Sequence, residues 1–174
     1  GSENNVLLRY YKAAIKFKAE CIVRINADCP LIDPDIIGEI VEYYHLNHNE
    51  IDYVSNILEK SYPIGLHTEV FSMEALRRAN HNANSATEQE HVTPYIYMHP
   101  EFFDIRQEHL REDYGFLRLT VDEEKDFILV KRIIERLYPL NRSFGLDDII
   151  KEYKKDPDLF LINSGIAQKK LINS

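Results

Sequence analysis

The chain has 174 residues, 44% of them hydrophobic and 29% charged, and a formal net charge of −8. One domain of this length can bury a core, and the negative balance argues against a nucleic-acid backbone or an anionic membrane as the main partner. The two cysteines, Cys21 and Cys29, form no disulfide pattern, and neither a signal peptide nor a long apolar run occurs, so the expected setting is a reducing cytoplasm.

Val6, Leu7, Tyr10, Tyr11, Ala14 and Phe17 recur at helical spacing, with Ser2 a candidate cap. Cys21 to Ile25 is a short, almost wholly apolar run, the pattern of a central strand covered on both faces. Asp33-Pro34 reads as the cap and first residue of a helix whose apolar face is Ile36, Ile37, Ile40, Val41 and Tyr44. Asp52 to Asn56 and Thr68 to Ser72 read as strands, and Ser72 can cap a helix from Met73 to about Ala83. Thr87-Glu88-Gln89-Glu90 has capping-box spacing and predicts a helix through Met98. Phe103 to Gln107 and Arg118 to Val121 are further expected strands. Glu123 to Tyr138 is a long amphipathic helix stopped by Pro139, and two short helices are expected near Leu146 to Lys155 and after Asp156-Pro157. The order mixes βα units with paired strands and predicts a three-layer α/β domain with a mixed sheet.

Tyr10, Tyr11, Tyr43 and Tyr44 fall in pairs on amphipathic helices and read as packing rather than as a platform for bases. The histidines show no metal-ligand spacing, which argues against zinc. Cys29 has no evident basic partner and reads as a small buried residue.

In an open α/β sheet, ligands sit outside the carboxyl ends of the strands. Asp28 lies just past such an end, where the alternative role is a turn residue bonded to its own backbone. Asp122 ends a second apolar run, and Glu123, Glu124 and Asp126 suit the positive end of the helix that follows. Two aspartates at two strand ends could share one Mg²⁺, a hard cation that prefers carboxylate, water and phosphate oxygens, and such a site suits nucleotidyl transfer.

Five motifs then occur in order: IVRINADCPLIDP, DYVSN, YPIGLHTEVFSMEAL, EHVTPYI and LTVDEEKDF. Together they resemble the cytidylyltransferases of the spore coat polysaccharide biosynthesis protein F type, relatives of the acylneuraminate and 3-deoxy-manno-octulosonate cytidylyltransferases. The resemblance runs from Ser2 to Leu161. It implies a Rossmann-like nucleotidyltransferase lacking its first βα unit, with residues 1–162 as the C-terminal part of the domain and 163–174 as a tail. It implies an enzyme that joins a sugar acid to CMP, using CTP and releasing pyrophosphate, for surface or spore-coat polysaccharide. Asp28 and Asp122 would be the catalytic residues and hold Mg²⁺, while Arg24, His67, Glu69, His91 and Thr93 would bind substrate. A homodimer is expected, with no nucleic acid or membrane partner.

Two positions depart from the family pattern: His67 stands where members often carry Asp, and Gln89 where they often carry Arg. The basic, glycine-containing loop with which the family grips the CTP phosphates has no counterpart here. The expectation is therefore that this chain alone is inactive. The alternative is a non-catalytic sugar-binding or dimerisation module.

Overall fold

The computed structural model describes residues 1–168. Its elements run α1 (Val6–Phe17), β1 (Cys21–Arg24), α2 (Pro34–Asn47), β2 (Tyr53–Ser55), β3 (Glu69–Ser72), α3 (Met73–Asn82), α4 (Ala86–His91), α5 (Pro94–Tyr97), β4 (Ile105–Gln107), α6 (Glu124–Leu137), α7 (Leu146–Lys155) and a 3₁₀ turn (Pro157–Ile162). Of the tail expected over 163–174, residues 169–174 lie outside the described residues, and Asn163 at its start is buried. Among the described residues, no helix is long and apolar enough to cross a membrane.

Helices begin where a side chain satisfies backbone N–H groups that the helix itself leaves free. Asn5 Oδ1 accepts from Leu8 N at 2.8 Å, so the cap of α1 is Asn5 and not Ser2. Ser72 Oγ accepts from Ala75 N at 2.9 Å, as the sequence predicts. Asp33 serves two helices: Oδ1 accepts from Asp35 N (2.9 Å) at the start of α2, and Oδ2 from Leu146 N (2.7 Å) at the start of α7. Gly145 makes that second contact possible, because a Cβ there would lie 2.5 Å from Asp33 Oδ2.

The helix expected from Thr87 to Met98 is two helices. Its capping box is Ser85 with Glu88, two residues upstream of the expected start, and α4 ends at His91. Val92 then takes φ 74° and ψ −56°, and Thr93 N donates to His91 O at 2.9 Å. This is a γ-turn centred on a buried β-branched residue, a conformation that costs on the order of 1–3 kcal/mol.

The sheet order is β1-β3-β2-β4. β3 pairs antiparallel with both β1 and β2, and β4 runs parallel to β2. The register aligns Ile22, Phe71, Tyr53 and Ile105 on one face, where α1, α3, α4 and α5 cover them. Val70 and Val54 face the other layer, formed by α2, α6 and α7. Two apolar cores flanking one sheet give the expected three layers.

Two strand expectations are corrected. Among the described residues β1 lies at the edge of the sheet, not at its centre: Val23 is 42% exposed and Ile25, just past its end, 44%. A doubly covered strand and an edge strand with an uncovered apolar flank share one sequence pattern, and β1 is the second kind. A groove of about 510 Å³ lies beside it under α1, lined by Tyr10, Phe17, Ile22 and Val23. A second, of about 480 Å³, runs from Asp28 along Val121 to Phe127 and Ile134 of α6. The run from Arg118 to Val121 is not a strand of the sheet. Its one β-bridge is parallel, with Leu119 N donating to Ile64 O (2.7 Å) and Ile64 N to Leu117 O (2.9 Å).

That crossing depends on Gly65. Its φ is +105°, and a Cβ would stand 2.6 Å from Leu119 C and Thr120 N, both main-chain atoms. Gly65→Ala combines a disfavoured backbone with a clash that no side chain can relieve, so a loss of about 3 kcal/mol or more is expected. Urea denaturation of the variant checks it, and an unchanged midpoint would mean that the crossing yields freely.

Candidate functional site

The loop after β1 leaves Asp28 exposed, with Cys29 Sγ donating to its Oδ1 at 3.3 Å. Two hydrogen bonds to one main-chain oxygen of this loop tie it to the run that ends in Asp122. Val121 N donates to Asp28 O at 2.9 Å, and Thr120 Oγ1 donates to the same oxygen at 3.1 Å. Asp122 follows at once, so the two predicted carboxylates emerge from adjoining loops at the carboxyl end of β1. Buried Cys29 sits in the field of both. Burial first, then Asp28, with a smaller push from Asp122, raises its thiol to about 12. A thiol so poorly ionised is no nucleophile, in keeping with its reading as a packing residue.

Asp122 is fixed from behind. Its Oδ2 accepts from Arg118 Nη2 at 2.5 Å. Arg118 is itself buried, and its Nε donates to Asp126 Oδ1 at 3.0 Å. Fully buried Asp126 also accepts from Asn163 Nδ2 (2.8 Å) and from the main-chain N–H groups of Asp122 and Glu123 (3.1 Å each). Burial alone would raise the Asp126 carboxyl. Arg118, Asn163 and the two N–H groups outweigh it and hold the group below the usual carboxylate range. Asp126 is legible in the sequence as a helix-start acid, whereas Arg118 as its partner is not. Only the spacing Arg118, Asp122, Asp126, four residues at each step, hinted at it.

The donor set at Asp28 and Asp122 consists of hard oxygens, which suits Mg²⁺. Asp122 keeps Oδ1 clear of the Arg118 contact, and Asp28 is exposed. Among the described residues, no group of three or more His, Cys, Asp or Glu side chains is gathered for a metal, so two carboxylates would share the ion with water and phosphate.

Three of the five residues expected to bind substrate form a second polar cluster. Arg24 and Glu69 are partners in the β1–β3 register, and Arg24 Nη1 donates to Glu69 Oε2. Glu69 Oε1 accepts from Tyr53 Oη at 2.7 Å and Thr93 Oγ1 at 2.5 Å. The γ-turn at Val92 delivers Thr93 to this contact. His67 stands nearby, half-buried, its imidazole pKa lowered by burial against the opposing pull of Glu69. His91 ends α4 half-buried and makes no hydrogen bond to the cluster. Gln89 turns away, its Nε2 reaching Ala83 O at 3.4 Å.

The cytidylyltransferase family profile matches residues 1–161. The chain is 38% identical over 173 residues to an uncharacterized protein of Methanocaldococcus jannaschii, covering 97% of this chain and 68% of that one. It is 27% identical over 139 residues to the spore coat polysaccharide biosynthesis protein SpsF of Bacillus subtilis, covering 78% and 56%. A solved cytidylyltransferase from Leptospira borgpetersenii serovar Hardjo-bovis superposes with a TM-score of 0.88 at 28% identity, covering 98% of this chain and 69% of that one. The fold is thus the Rossmann-like nucleotidyltransferase fold with a mixed sheet. The chain spans between 56% and 69% of the length of these proteins.

The lowered imidazole pKa of His67 has a consequence for stability. On acidification the unfolded chain protonates at about 6.5, before the folded protein does, so the unfolded state gains. The contribution of neutral His67 is present above pH 6.5 and is lost as pH falls through the lower folded value. Chemical denaturation at pH 7.5 and 5.0 is expected to show a smaller stability loss in His67→Gln than in the wild type. Equal losses would mean that His67 titrates as freely as in the unfolded chain.

Proposed function

Because the chain belongs to the cytidylyltransferase family, we propose that the protein joins a sugar acid to CMP, drawing on CTP and releasing pyrophosphate. The observation that carries this reading is the stitching of the Asp28 loop to the Asp122 loop through Asp28 O. A sugar hydroxyl oxygen attacks the α-phosphorus and gives up its proton to solvent, a new P–O bond forms, and the bond to the bridging oxygen breaks as pyrophosphate departs with its electron pair. Such chemistry asks the protein to align the two reactants and neutralise charge. Asp28 and Asp122 would hold Mg²⁺, which when bound neutralises charge on the phosphate oxygens.

Arg118 keeps Asp122 in one orientation, and the Arg24 cluster lies at the end of the same strand that leads to Asp28. Arg24 supplies positive charge close to that end in a chain of net charge −8. Neutral His67 would offer a hydrogen bond to a sugar hydroxyl rather than a charge. The similarity to the spore coat polysaccharide biosynthesis protein of Bacillus subtilis supports surface polysaccharide as the destination of the product.

The test is a pyrophosphate-release assay on the protein as its gene encodes it, with CTP, Mg²⁺ and a panel of octulosonic and nonulosonic acids. Release is expected with at least one acid. Asp28→Ala and Asp122→Ala are each expected to lower the rate by about 10²–10³, the scale of losing one transition-state stabiliser. Full turnover by both variants would overturn the site. Binding of a sugar acid without any release would favour the non-catalytic module.

A further inference from the structure

Glu69 was expected among the groups that touch the sugar, but its surroundings give it another part. It is 2% exposed, and donors from three elements occupy both carboxylate oxygens: Arg24 from β1, Tyr53 from β2 and Thr93 from the turn before α5. Arg24 is different. Its side chain is 18% exposed, and among the described residues its hydrogen bond runs from Nη1 to Glu69, leaving the Nε and Nη2 edge of the guanidinium uncommitted. We infer that Glu69 is a positioning residue that fixes the Arg24 guanidinium so that its free edge receives the anionic oxygens of a substrate. The inference rests on the nucleotidyl-transfer reading and adds to it which residue meets the ligand and which stands behind.

Two considerations favour this over an ion pair kept for stability. A buried ion pair is often no more stabilising than a well-packed apolar pair, so stability alone does not account for a charged cluster at this place. The chain also accepts a strained residue at Val92 immediately before Thr93, and strain of this kind collects at functional sites. A planar guanidinium with one edge fixed presents two parallel N–H groups, the geometry that suits carboxylate or phosphate. Those two oxygen groups, a sugar carboxylate or a nucleotide phosphate, share this chemistry and are separated by experiment.

The test is calorimetric titration of the protein as encoded with CTP, and with octulosonic and nonulosonic acids and their carboxamide analogues. Arg24→Lys keeps the charge but loses the fork. It is expected to weaken one ligand class by about tenfold or more while the other stays within about twofold. Loss of discrimination between acid and carboxamide identifies the carboxylate, and weakened CTP binding identifies the phosphate. Glu69→Asp keeps the charge and withdraws the carboxylate by one methylene, so it should weaken the same class, with Glu69→Gln as a second variant. The double variant Arg24→Lys/Glu69→Asp should bind no worse than Arg24→Lys, because Glu69 acts through Arg24.

Additive losses would mean that Glu69 touches the ligand itself and would overturn the inference. So would unchanged binding of both ligand classes by Arg24→Lys. Pyrophosphate release that persists alongside unchanged Arg24→Lys binding removes this inference alone. The expected binding pattern without any release removes the proposed reaction alone.

Discussion

A carboxylate sealed from water needs partners, and Glu69 has them from three directions. Deleting the opposite charge from such a group costs about 3–5 kcal/mol, and a single hydrogen bond to it is worth about 1.5–3 kcal/mol, on the scale of the 1–3 kcal/mol of a strained backbone residue. The comparison explains why Val92 can remain in a conformation that a β-branched residue avoids: the bond between Thr93 and Glu69 holds it there. The same requirement joins the elements. Arg24 belongs to the edge strand, Glu69 to its neighbour, Tyr53 to the next strand, and Thr93 to the helical layer above. Satisfying one negative charge therefore fixes the position of β1, the covering of β3 and the break between α4 and α5.

The Asp126 network answers the same demand on the other side of the domain. Arg118, Asn163 and two main-chain N–H groups converge on a carboxylate with no access to solvent. Here the arrangement holds a loop rather than a strand, and Asp122 projects from it. The two clusters have a common design in which a fully buried acid grips an arginine and a group nearer the surface takes its orientation from that grip. In the first cluster that group is the arginine itself, and in the second it is a further aspartate.

Much of this was legible in the sequence. Asp33 before Pro34 and Ser72 before Met73 announced helix starts, because capping is a local interaction between neighbours in the chain. The five ordered motifs marked Asp28, Asp122, Arg24, Glu69 and Thr93. What the sequence hid was non-local. The run CIVRI has the same composition whether its flanks are covered or bare, so the edge position of β1 could not be read from it. Leu119 and Ile64 meet across a turn that only Gly65 permits, which made a lone bridge look like a strand. The break after His91 is set by Thr93 reaching Glu69, a partner 24 residues away. Glu69 looked like a ligand because an acid in such a motif carries no local sign of the donors that will enclose it.

The double cap at Asp33 bears on how the domain assembles. Its carboxylate is bonded to neighbouring Asp35 and also to Leu146, 113 residues further along the chain. The first bond can form as soon as α2 does. The second must wait until most of the domain has closed a long loop, whose entropy is lost before the contact gives anything back. A bond left unformed in the folding transition state acts on how slowly the finished domain comes apart, and hardly at all on how quickly it forms.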